Sequence, residues 1–340
     1  MSVDVLVRGA GVAGLTAAHE LAAGGAAVTL VETGDAVGRG ASWFAGGMLA
    51  PDCEAEMAEE SVSRLGREAL PWWRDRFPAL TSQNGTLVVA PSRDSAELDR
   101  FAARTSGHVP LDAEGIAALE PDLAGRFRRA LFFPEEGHLD PRAVMEELHR
   151  RLLAMGVRIA IGPAAAEEAT GRDFQVTVDC TGIARAPHDA ALRGVRGEML
   201  YLRTGDVGLS RSIRLLHPRI PVYVVPRGDG RFMVGATMIE SLADGPITAR
   251  STMELLNAAY ALHPAFGEAE IVETGVGVRP AYPDNLPRAV WAGDEIVING
   301  LYRHGFLLSP ALARQAARMV FERSDLKETA DESDRERQIS

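Results

Sequence analysis

Near the start of the chain an apolar run, Val3 to Val7, is followed at once by Gly9-Ala10-Gly11-Val12-Ala13-Gly14, and a second run, Ala27 to Val31, closes on an acid, Glu32. Between them Leu15 to Ala23 is rich in alanine and reads as a helix. This order of strand, glycine turn, helix, strand and acid constrains the fold more than any other feature. Gly9 permits the tight turn out of the strand, Gly11 lets backbone approach a pyrophosphate, and Gly14 lets helix and strand pack closely. The pattern is that of a dinucleotide-binding βαβ unit in which Glu32 takes the ribose hydroxyls. A carboxylate there would repel a 2′-phosphate, which argues against NADP and leaves NAD and FAD open.

With 340 residues, 46% hydrophobic and 24% charged, the chain has enough apolar material for two domains. A net charge of -11 argues against a nucleic-acid partner or an anionic membrane surface. Cys53 and Cys180 are too few for a disulfide framework and suit a reducing compartment. No signal peptide fits before the first strand, and no apolar run is long enough to span a bilayer. A cytoplasmic location is therefore expected.

Beyond Glu32, the Gly- and Ala-rich stretch from Gly34 to Pro51 suits backbone wrapping around a ligand. Ser61 to Phe77 and Ala96 to Arg104 read as amphipathic helices, with a strand at Gly85 to Ala90 between them. Asp140 as N-cap and Pro141 at the first helical position start a helix that ends near Gly156. Strands follow at Val157 to Ile161 and Phe174 to Val178, the second running into Asp179-Cys180-Thr181-Gly182, an edge of the kind that meets cofactor phosphates. The middle of the chain then turns β-rich, at Gly197 to Leu202, Val222 to Pro226 and Phe232 to Thr237, with a hairpin at 227–230; this predicts an antiparallel sheet forming a pocket wall. From Ile271 the order of strand, loop, strand and helix returns, so the chain leaves the nucleotide domain and comes back to it. Residues 324–340 are charged, lack an apolar period and read as a disordered tail.

No Ser-His-Asp or Cys-His grouping, no metal spacing and no dehydrogenase-type His, Lys or Tyr constellation can be read from this order. His138, His217 and His263 read as solvated or capping residues, and the acid-rich stretches Glu54 to Glu60 and Pro134 to Asp140 as solvated faces. Arginines on strands and turns stand out instead. In Gly275-Val276-Gly277-Val278-Arg279-Pro280 a period of two puts the valines on one face, packed into the core, and Gly275, Gly277 and Arg279 on the other. The glycine face is expected to be bare and open to a flat ligand, with Arg279 gripping a carboxylate bidentately; a structural ion pair is the plainer alternative. Tyr223 either adds a hydroxyl to that carboxylate or packs as a half-buried strand tyrosine. The segment Asn299 to Leu308 precedes the last long helix, whose free N–H groups and positive dipole end suit negative charge on a bound group. Arg303, within it, assists that role, reaches a substrate or is a surface arginine.

These residues carry a resemblance. RGAGVAG at 8–14, ASWFAGGMLAP at 41–51, RGEM at 196–199, YVVPR at 223–227, VGATM at 234–238, GVRP at 277–280 and LYRHGFL at 301–307, in this order, resemble the FAD-dependent D-amino-acid oxidase family and within it the glycine oxidase branch of thiamine biosynthesis. The resemblance runs from Val3 to about Glu322. It implies an α/β fold: a discontinuous Rossmann-type FAD-binding domain (1–58, 138–196 and 275–323) with an antiparallel β-sheet substrate domain (59–137 and 197–274). It also implies FAD-dependent oxidation of glycine, sarcosine or a small D-amino acid by hydride transfer to the flavin, with O2 as acceptor. A dehydrogenase of the same fold and a non-catalytic flavin-binding partner are the alternatives. The implied FAD contacts are Gly9, Gly11, Val12, Ala13, Gly14, Glu32, Thr33, Ala41, Ser42, Gly46, Gly47, Met48 and Gly182, then Leu301, Tyr302, Arg303, His304, Gly305, Phe306 and Leu307. The implied substrate contacts are Tyr223, Arg279, Arg303 and Met238, although a strand Met read alone is core. No side chain is implied as catalytic base, the flavin is expected to be non-covalent because neither cysteine matches the attachment position of the related sarcosine oxidases, and the protein is expected to form homo-oligomers. Three departures stand out: His304 in place of a common Asn, Arg8 in place of an apolar residue, and a short 162–179 stretch that loses part of an accessory sheet and leaves a flavin-backbone contact near Ala165 unassigned.

Overall fold

The structure, a computed structural model, describes residues 2–216 and 222–339, with side chains described as far as Ser324; His217 lies outside the described residues. The first sheet has the strand order Arg288–Ala292, Glu295–Asn299, Val176–Asp179, Asp4–Arg8, Ala27–Glu32, Arg158–Ile161. Its pairs are parallel except the edge hairpin formed by the first two strands named. Parallel strands covered on both faces must be apolar on both, and Val5, Val7 and Leu30 are fully buried. One face is covered by helix Val12–Ala23 and by the last helix, through Leu15, Leu21, Leu308 and Leu312. On the other face Ala166, in helix Pro163–Thr170, packs against Leu6 and Val31.

The second sheet has nine strands and lies against helix Ala249–Leu262, with Leu255, Leu262, Phe232 and Phe266 between them. It is antiparallel except for one parallel pair, Ser212–Leu215 beside Thr86–Val89. Two of its strands, Arg193–Arg203 and Glu270–Ala281, pair with each other over their full lengths. The expected boundaries at 196/197 and 274/275 fall inside these two strands. They form a continuous β-ribbon that runs from the core of the second sheet to the cofactor side.

Most elements follow the sequence pattern closely. Asp140 caps helix Pro141–Ala154 by accepting from the N–H groups of Arg142 and Ala143 at 2.9 and 3.4 Å. Three segments differ from expectation. The helix expected over 61–77 is two helices, Glu60–Gly66 and Ala69–Arg76, because Pro71 lacks an N–H and is tolerated only in the first turn of the second. The shortened 162–179 stretch begins with a helix, Pro163–Thr170, ahead of strand Val176–Asp179. The last helix has bounds Gly305–Ile339, so its backbone continues through the expected tail; the Glu, Lys, Arg and Ala of that stretch are good helix formers, and charge alone does not stop a helix. Among the described residues no helix is long and apolar enough to cross a membrane.

Candidate cofactor and substrate site

Two glycines of the first turn, Gly9 and Gly14, are required by the protein's own geometry, and the third borders the cavity. Gly9 has φ +91°, and a Cβ there would lie 2.6 Å from the Cys180 carbonyl oxygen. A Cβ on Gly14 would run into the Gly9 carbonyl oxygen. Around Gly11 only the Ser42 Oγ comes near, at 3.3 Å, so a side chain there would project into open cavity where backbone must meet a ligand. Ser42 Oγ accepts from the Val12 N–H at 3.1 Å and ties the Ala41–Phe44 turn to the helix start. Glu32 accepts from the N–H of Ala10 at 2.8 Å and of Gly34 at 2.9 Å, and so also braces the glycine turn.

A cavity of about 970 Å³ runs from Glu32 and Thr33, past Gly9, Gly11, Val12, Ala13 and Gly182, to Tyr223, Met238, Arg279 and Arg303. Ala41, Ser42, Gly46, Gly47, Met48 and the whole segment Leu301 to Leu307 also line it. Of the residues expected at the site only Gly14 is absent from the wall, because it lies beneath the turn as a packing glycine. The wall thus offers the backbone cradle and elongated shape that a dinucleotide requires. Arg8 is accounted for otherwise: it bonds Asp179 at 2.6 Å and Glu295 at 2.7 Å, while Arg185 bonds the same two acids at 3.0 and 2.7 Å. These four charges tie three neighbouring strands together beside the glycine turn.

The glycine strand corrects one expectation. Gly275 and Gly277 are buried, not bare, and Val276 and Val278 are only half-buried. What lies over the glycines is protein: a Cβ on Gly275 would meet the Phe44 ring, and one on Gly277 would lie 3.1 Å from the Ala41 Cα. The glycines let the Ala41–Phe44 turn press onto the strand, so the space for a flat ligand lies beyond them. Arg279 does point along the glycine face. Its guanidinium lies where a Cβ on Gly197 would be, and it donates to the Thr237 carbonyl oxygen at 3.0 Å. Tyr223 reaches the same space because Gly46 leaves room for its ring; a Cβ on Gly46 would lie 2.5 Å from it.

Arg303 is brought beside Arg279 by a short backbone tie, the Tyr302 N–H donating to the Pro280 carbonyl oxygen at 3.0 Å. Tyr302 adopts φ +48° to turn the chain there. Arg303 Nη1 is 3.5 Å from the Met238 sulfur, which places Met238 in the wall rather than the core.

Glu54 is the residue the sequence reading missed. It is not part of a solvated face: its carboxylate lines the cavity, with Oε2 at 3.4 Å from Arg303 Nη2 and 3.6 Å from His304 Nδ1, and Oε1 at 3.4 Å from Arg214 Nη1. Burial works to raise its pKa, but Arg303, His304 and Arg214 outweigh that and hold it at about 2. Burial lowers His304 to about 4, so its ring is neutral at neutral pH. Glu136, in the other acidic stretch, is also buried; it accepts from the N–H groups of Asp52 and Cys53 at 3.0 and 2.7 Å and anchors the turn that presents Glu54. Burial pushes its pKa up to about 7. His138 is likewise buried, in strand Gly137–Leu139, and burial holds it at about 4, whereas His263 caps as expected by accepting from the Ala265 N–H. The missed signal for Glu54 was its position directly after the glycine-rich wrap.

The chain is similar to known proteins over most of its length. A thiamine biosynthesis oxidoreductase, ThiO, as named in Rhizobium etli, is 60% identical over 316 residues, covering 93% of this chain and 96% of that one. The glycine oxidase of Pseudomonas aeruginosa is 28% identical over 97% of this chain and 98% of its own. The crystal structure of glycine oxidase from Geobacillus kaustophilus superimposes with a TM-score of 0.79 at 24% identity, covering 94% of each chain. The family described as FAD dependent oxidoreductase matches residues 4–319, and the chain belongs to it.

Proposed function

We propose that this chain oxidises the amine of glycine, or of sarcosine or a small D-amino acid, with FAD bound non-covalently and O2 as final acceptor. Glycine, O2 and water would give glyoxylate, ammonia and hydrogen peroxide, and the imine formed first would serve the thiazole of thiamine. The carrying observation is that Arg279 and Tyr223 face one space at the far end of the cavity that begins at Gly9. FAD held along that cavity supplies the acceptor for a hydride from the substrate Cα.

The chain's own residues bind and orient. Arg279 meets the substrate carboxylate with a directional fork, and Tyr223 donates to the same group. Glu54 at about 2 and His304 at about 4 are too acidic to hold a proton taken from an amine, which suits a reaction whose amine arrives already neutral. Cys180, in the cavity wall, is buried and its thiol pKa is pushed up, which supports non-covalent cofactor binding. The wide match to a protein named for thiamine biosynthesis supports the pathway, and a cytoplasmic site of action goes with it. The test is a peroxide assay on flavin-loaded protein across glycine, sarcosine and small D-amino acids. Peroxide from one or more of them is expected. Absence of both peroxide and substrate-induced bleaching sinks the proposal, and bleaching without peroxide moves it to a dehydrogenase.

A further inference from the structure

The substrate end of the cavity holds two arginines and one carboxylate, and they are not equivalent. Arg303 faces Glu54 Oε2 at 3.4 Å. Among the described residues Arg279 has no carboxylate within 4.0 Å; the hydrogen bond its side chain donates goes to the Thr237 carbonyl. Glu54 also meets Arg214 at 3.4 Å, but Arg214 is not part of the cavity wall and is met in turn by Glu56 at 3.4 Å. His304 adds no charge near neutral pH. Of the charges that line this end of the cavity, Arg279, Arg303 and Glu54, one positive charge is in excess.

We propose that Glu54 is a specificity-determining residue: by neutralising Arg303 it leaves Arg279 as the single carboxylate receptor, so the site accepts amino acids with one carboxylate and a neutral remainder and rejects dicarboxylates. This rests on the reading that Arg279 receives the substrate carboxylate. Glu54 Oε2 is buried and has no hydrogen-bond partner, so it directly opposes a second carboxylate brought against Arg303. Two like charges at that distance in a protein-lined site repel strongly. The adjoining cavity, about 500 Å³ and lined by Glu56, Glu59, Glu60 and Asp284, carries the same sign.

The test compares two ligands of nearly the same shape, malonate and its half-amide malonamate, titrated against the flavin absorbance of the holoenzyme at a pH where every carboxyl group is ionised. The wild-type protein is expected to bind the half-amide at least about ten-fold more tightly, one decade being a modest value for one buried charge contact. Glu54→Gln brings the ratio to unity or reverses it, and Glu54→Asp retains the preference. Arg303→Gln leaves Glu54 unpaired and moves the ratio the other way, which keeps the test available if Glu54→Gln does not fold. An equal affinity of the wild type for both ligands, a ratio unchanged in Glu54→Gln and Arg303→Gln, or failure of both ligands to bind overturns the inference. Because the ratio is read without turnover, a chain that keeps it but yields no peroxide loses only the proposed activity. One that oxidises glycine with a ratio indifferent to Glu54 loses only this inference.

Discussion

At the dinucleotide end of the cavity the wall is built largely on backbone, the turn from Gly9 to Ala13 at the start of helix Val12–Ala23 and the glycines of the wrap up to Gly47, with Glu32 and Arg39 beside it. At the substrate end the groups presented are charged side chains drawn from distant parts of the chain, Glu54, Arg279 and Arg303, with Arg214 buried against Glu54. A backbone cradle fails by steric intrusion and is indifferent to charge. A charge cluster tolerates small changes of shape and fails when its balance is altered.

That contrast can be broken at either end. The largest effect is expected from Gly14→Val, where the new side chain meets the Gly9 carbonyl; the cost is about 3 kcal/mol or more, and the protein purifies colourless with a lowered Tm. A yellow, stable variant would show that the turn is looser than its geometry. Next comes Arg279→Leu, which should lower kcat/KM for glycine by about 100- to 1,000-fold, mostly through KM, while flavin content stays normal. Loss of flavin in that variant would erase the division between the ends. Tyr223→Phe removes one hydrogen bond and should cost about ten-fold in kcat/KM, read in the same assay.

The smallest effect is on stability against pH. His304 and His138 fall from 6.5 to about 4 on folding, so the unfolded chain takes up protons that the native one refuses, and stability drops as pH falls from about 6.5 to 4. Glu136 acts in the opposite direction: its pKa rises from 4.5 to about 7, so stability is lost as pH rises across that window. Glu54, depressed to about 2, loses its contribution only as pH falls below about 4.5. Measured by thermal melts, His304→Asn should flatten the decline between pH 6.5 and 4; an unchanged decline would assign it to His138 instead.

The two ends also differ in how much of them could be read from residues. The dinucleotide turn is local: strand, glycines, helix and acid lie within the first 32 positions, and spacing alone sets their geometry. Arg279 was legible because a strand's period of two fixes its face. What covers that face was not, since the Ala41–Phe44 turn arrives from far away in sequence and occupies the space over Gly275 and Gly277. Glu54 was hidden for the same reason. It lies among acids that look solvated, and only the approach of Arg214 and Arg303 turns it into a half-buried, ionised wall residue. Charge pairing between distant segments leaves no periodic trace in either one.

The four-charge tie of Arg8, Asp179, Arg185 and Glu295 joins strand Asp4–Arg8 to a strand whose Glu295 lies 287 positions further along. A nascent chain carrying only its first βαβ unit has the glycine turn but not the wall that Leu301 to Leu307 supplies. Capture of a cofactor along the whole cavity therefore waits until that segment has been made, and the first βαβ unit by itself is expected to retain no flavin.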